Sequence, residues 1–121
     1  MLKKIGILLA LVLVVFLSII LYLGREQSIE FHAILPPEFE VCGSIVDPSD
    51  SRYKVLKNWL KQNESGWYNS PVSYVPHYVY SSKSMQVNVM PSGVVVNYQE
   101  NSSWYQVNKS AETSGLVKSC E

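Results

Sequence analysis

The chain opens on a short leader carrying Lys3 and Lys4 and then runs without a charge from residue 5 to residue 24, before a mixed polar pattern begins at Arg25. Twenty uncharged residues wound as a helix rising about 1.5 Å each make a rod of roughly 30 Å, the thickness of a bilayer's hydrocarbon core. A removable signal has an apolar region of about 7–15 residues followed by small residues at the cleavage point. Here Leu21 and Leu23 stand where small residues would be needed, and no cysteine directly follows the run to take a lipid. The pattern therefore predicts a retained signal-anchor helix over residues 5–24, in contact with the lipid bilayer, with residues 1–4 as a leader. Basic residues on its leading side predict a cytoplasmic amino terminus and place everything beyond Arg25 outside, with Tyr22 as an interfacial anchor.

Beyond the anchor the periodicity changes. The run SIEFHAIL alternates weakly, and Pro36-Pro37 stops whatever precedes it, so residues 25–41 are expected to be a linker or a short strand. Asp47-Pro48-Ser49-Asp50 is a helix start: Asp47 as cap, Pro48 in the first turn and Asp50 as its acidic partner. Tyr53, Leu56 and Leu60 follow at helical spacing, with Val55 and Trp59 beside them, while Lys54, Lys57, Asn58 and Lys61 fall on the other side. This predicts a helix over 48–62, closed near Gly66, with one face on a sheet. The rest reads as strand. Residues 72–80 are β-branched and aromatic but contain Pro76, which suits an edge or bent strand. Residues 85–90 and 94–98 flank Pro91-Ser92-Gly93 as a hairpin, with Met85, Val87 and Val89 on one face and Gln86 and Asn88 on a wet one. A second turn at 100–103 leads to a last strand over 104–108. The expected class is α+β: one transmembrane helix, then a domain of one helix on an antiparallel sheet of three or four strands.

Formal net charge is zero, yet with Lys3 and Lys4 set aside only eight basic residues face ten acidic ones outside the membrane. Such a domain has no electrostatic footprint for nucleic acid and no polybasic patch for lipid head groups. The 97 residues after the anchor suffice for one small domain, in which a core alone gives thin stability. Cys42 and Cys120 are the two cysteines; in an oxidising compartment they predict one disulfide closing a domain over 42–121 and pinning its carboxyl-terminal tail.

Candidate chemistry changes this picture little. His32 and His77 have no metal-ligand spacing to each other or to a carboxylate, and no metal or cofactor is expected. No serine sits in a nucleophile elbow, and no glycine-rich loop precedes a helix, so the chain does not read as an enzyme. Aromatics are the surplus. Most suit a core; Trp67-Tyr68 after the helix and Trp104-Tyr105 after a turn are the candidates for an exposed platform for a glycan or a protein partner. The basic leader ending at Gly6 resembles that of type IV pilins, but Leu11 replaces their early glutamate and Pro36-Pro37 breaks their long helix.

These readings converge on a non-catalytic, single-pass envelope protein of a bacterial inner membrane. It would bind a protein partner in the envelope as an accessory subunit. The alternative is an immunity- or inhibitor-type protein that neutralises a toxin or envelope hydrolase, with a small envelope enzyme behind both.

Overall fold

The computed structural model describes residues 1–117 and 119–120. Helix α1, Leu2–Leu23, is 22 residues long, and past Lys3 and Lys4 it is apolar on every side as far as Tyr22. Its span Leu2–Tyr22 buries nothing inside the protein, and its length and apolarity are those of a membrane anchor or a signal sequence. The hydroxyl of Ser18 is satisfied within the helix by donation to Val14 O at 2.8 Å. At its end Arg25 folds back, its guanidinium carbon 4.2 Å from the centre of the Tyr22 ring.

Residues 25–41 are part of the domain rather than a tether. Gln27 bridges Trp67, Phe31 lies at the start of a 3₁₀ turn, Phe31–Ala33, and Phe31, Phe39 and Val41 are buried. Strands β1, Phe39–Val41, and β2, Ser44–Val46, form a small hairpin. Cys42 and Gly43 both have positive φ, 53° and 78°, which is the requirement of a type I′ turn and matches the twist of the strands it joins.

Helix α2, Ser51–Gln62, begins later than expected, because Asp50 and not Asp47 is its cap. Asp50 accepts from the Arg52 backbone at 2.9 Å, while Asp47 and Pro48 belong to a preceding turn closed by Asp50 N–H donating to Asp47 O. Proline suits the second position of such a turn as well as it suits a first helical turn, which is why the two registers look alike in sequence. Tyr53, Leu56 and Leu60 are buried.

Among the described residues the sheet has seven strands and not three or four. To β1 and β2 are added β3, Tyr68–Asn69; β4, Tyr78–Ser81; β5, Met85–Met90; β6, Gly93–Glu100; and β7, Ser103–Ser110. The order is β2-β1-β4-β5-β6-β7-β3, and every pair is antiparallel. Asn101 and Ser102, at φ 52° and 67°, make the tight turn between β6 and β7. The expected strand over 72–80 survives only as β4. Residues 70–77 leave the ladder and cross the sheet, as Pro76, which has no N–H to donate, permits.

One face of the sheet and α2 enclose the core. Tyr78 and Tyr80, Met85, Val87 and Val89, Val94, Val96 and Tyr98, and Val107 supply its floor. An aromatic chain crosses it: Trp59 to Trp67 at 6.3 Å, Trp67 to Phe31 at 5.0 Å, Phe31 to Tyr98 at 5.2 Å, Tyr98 to Tyr105 at 5.6 Å. Buried aromatic polar tips are satisfied, Trp67 Nε1 by Asn63 O, Tyr53 by Pro36 O and Tyr80 by Arg52 O. The tail is held by Thr113, which donates to Met90 O, by buried Leu116, and by the Cys42–Cys120 disulfide, whose Cα atoms are 5.6 Å apart.

Candidate binding face

Away from α2, the sheet carries amides where the core face carries valines. Cross-strand pairing sets Ser81, Gln86, Asn97 and Gln106 in one row over β4 to β7, and Val79, Asn88, Val95 and Asn108 in the next. The alternation of β5 predicts a wet Asn88, yet Asn88 is 92 % buried, being only 8 % exposed. Its cover is the 70–77 segment. Asn88 accepts from His77 N–H at 2.9 Å and donates to Val75 O at 3.1 Å, so its side chain stands in for a neighbouring strand. Gln106 donates to Ser70 O and Val72 O. Asn108 donates to the Tyr74 hydroxyl, which also bonds Ser70. Three amides thus strap an irregular segment over half of the outer face, supplying the partners its carbonyls and N–H groups need.

The other half stays open as a shallow cavity of about 350 Å³, walled by Tyr74 and Pro76, floored by Val79 and Val95, and edged by Gln86 and Asn97. A second cavity of about 510 Å³ lies where residues 27–34 meet Ser84, Tyr98 and Glu100.

The four sequence-predicted partner residues separate. Trp67 is fully buried and is a core residue; Gly66, at φ +82°, turns the chain so that the indole enters beneath Phe31. Tyr105, 46 % exposed, lies on the core side of β7 and stacks on Tyr98. Tyr68 and Trp104 are exposed and share the outer face, since Tyr68 pairs with Asn108 and Trp104 lies two and four residues before Gln106 and Asn108. A platform of all four does not exist, but an outer pair does. Val72 and Val75, exposed on the strapped segment, belong to the same side. Sequence reasoning placed Gln86 on the wet face without assigning it a role and passed over Asn97 and Gln106; their positions opposite the valines were the available signal.

Ionisable groups do not converge. Among the described residues no three of His, Cys, Asp and Glu group closely enough to hold a metal ion. His77 is exposed. His32 Nδ1 is buried 3.4 Å from Glu64 Oε1 without an aligned hydrogen bond, an ion pair available only to a protonated ring. Burial pushes the Tyr80, Tyr53 and Tyr98 hydroxyls up from their usual range; Tyr80 and Tyr53 use theirs as donors to Arg52 O and Pro36 O. Hydrogen bonds from the Arg52 side chain and backbone hold Asp50 below the usual carboxylate range, and those of Ser49 do the same for Asp47. Asp50 belongs to the helix cap and Asp47 to the turn before it, and neither lines the two cavities above.

Compared with known proteins, the chain matches no family model, and no curated protein or solved structure is significantly similar to it.

Proposed function

We infer that the protein is a membrane-anchored accessory protein of the cell envelope, holding a non-catalytic binding domain outside the cytoplasmic membrane. The observation that carries this reading is the contrast within one chain: a 22-residue helix whose span Leu2–Tyr22 is not buried by its own domain, joined to a domain closed by a disulfide. An apolar helix of that length finds its solvent in a bilayer, and a disulfide fits an oxidising compartment. In a bacterial inner membrane, Lys3 and Lys4 on the leading side favour a cytoplasmic amino terminus and a periplasmic domain. Exposed Tyr68, Val72, Val75 and Trp104 on one side of the domain offer the apolar contacts a protein partner would cover.

The test is recovery of the full-length, membrane-embedded protein in mild detergent, with identification of what accompanies it. The same protein with residues 2–23 replaced by an unrelated apolar helix is the comparison. A partner recovered reproducibly, and lost on replacement of the anchor, supports the accessory reading. Equal recovery with either anchor moves the contact to the domain and favours the inhibitor type. No reproducible partner contradicts both.

A further inference from the structure

We propose that the shallow cavity on the outer sheet face binds an uncharged segment of a glycan chain, with Gln86 and Asn97 as its hydrogen-bonding groups. The inference goes beyond a protein partner and rests on the reading that the domain is displayed outside the membrane, where such polymers occur.

The outer amides divide into two sets. Asn88, Gln106 and Asn108 spend their hydrogen bonds on the 70–77 segment. Gln86 and Asn97, directly paired across β5 and β6, make no side-chain hydrogen bond among the described residues, although Asn97 is half-buried. Each primary amide offers two donors and a carbonyl acceptor, so the pair presents donors and acceptors side by side. Vicinal hydroxyls of a pyranose, each donor and acceptor at once, complement that arrangement; a phosphate or carboxylate would leave the amide carbonyls facing its charge.

Charge points the same way. No Asp, Glu, Lys, Arg or His side chain lines the cavity, so nothing there selects an ionic ligand. Half-buried Val79 on its floor and Tyr74 and Pro76 on its wall suit the apolar C–H face of a sugar ring; Val95 lies beneath them, buried. Tyr74 is fixed at its far end by Asn108 at 2.6 Å and Ser70 at 2.8 Å, so the ring is held before a ligand arrives and little ordering is required on binding. Trp104, two residues from Gln106 on the same face and 52 % exposed, extends the surface along β7 for a neighbouring sugar. A volume of about 350 Å³ lies at the small end of ligand sites, as expected of a face that grips one or two residues of a longer chain.

The experiment uses the full-length protein in detergent micelles, with chitotetraose and cellotetraose as probes and side-chain amide resonances as readout. The Gln86 and Asn97 signals shift saturably on addition of a probe, and binding is unchanged when salt is raised to about 1 M, where charge–charge attraction is screened. Gln86→Ala with Asn97→Ala weakens binding about tenfold or more, as loss of two hydrogen bonds implies. The fold is kept, because neither amide supports another residue. Trp104→Ala weakens chitotetraose more than it weakens chitobiose, which is too short to reach the indole. No shift with either probe up to about 10 mM, well beyond a millimolar Kd, overturns the proposal. So does binding that the double substitution leaves intact, or binding abolished by salt. A protein partner still recovered in detergent while both probes fail would reject the glycan site alone and leave the accessory reading standing.

Discussion

Helices α1 and α2 meet different solvents. In α1 the apolar side chains go all the way round, and Leu13, Val14, Val15 and Phe16, four neighbours covering a whole turn, are all exposed to about the same degree, 58–60 %. In α2 the apolar side chains keep to one side: Leu56 and Leu60 are fully buried, while Lys54, Lys57 and Lys61 face water. Backbone hydrogen bonding is the same in both; the difference lies in what the side chains need around them. The first helix has the apolarity of a membrane anchor or signal sequence, and the second requires its sheet. One therefore reports on location and the other on the domain's folding, and substitutions should separate the two.

The largest effect is expected from the covalent tie. Cys42→Ser opens a loop spanning 78 residues and lowers the domain's stability by about 4 kcal/mol on the chain-entropy account, with no effect on membrane retention; urea unfolding followed by Trp fluorescence, beside carbonate extraction of membranes, measures both. Next comes a matched pair. Leu60→Ala in α2 costs roughly 2–5 kcal/mol of domain stability and leaves insertion alone. Val12→Arg in α1 costs about 3 kcal/mol of insertion free energy and leaves the domain's unfolding midpoint alone. If either substitution moved the other's readout, the separation of the two helices would fail.

A smaller effect follows from the cap of α2. Asp50 is held below its ordinary range by Arg52, so its contribution is fully present above the unfolded-state value near 3.9. It is lost as pH falls through the lower folded-state value. Asp50→Asn should flatten the acid limb of stability against pH below about pH 4, and an unchanged limb would remove Asp50 as the working cap. Smallest of all, Lys57→Ala on the wet side of α2 should stay within about 0.5 kcal/mol of the parent.

What could be read in advance follows the same physics. The α2 pattern and the β5–β6 hairpin were legible because each has a long enough period to show a face: Tyr53, Leu56 and Leu60 in one, Met85, Val87 and Val89 against Val94 and Val96 in the other. The β1–β2 hairpin was not. Its strands are three residues long, too short for alternation, and its turn is Cys42-Gly43 in place of the usual Asn-Gly or Asp-Gly. Trp67 misled because an aromatic beside a loop glycine reads as surface, whereas tertiary pairing with Gln27 draws it under Phe31. The strap over the outer face was hidden for a related reason. Asn88 holds it through contacts eleven and thirteen residues away in sequence, and no local pattern encodes those. The disulfide, by contrast, needed only two cysteines and a compartment.

The most direct test of anchored display outside the cytoplasm is the intact mass of protein extracted from membranes of growing cells, alkylated once before and once after reduction. The account predicts a polypeptide that still begins ahead of the apolar helix and takes up alkyl groups on Cys42 and Cys120 only after reduction. A new amino terminus near Arg25, or two sulfurs alkylated without reductant, would contradict it.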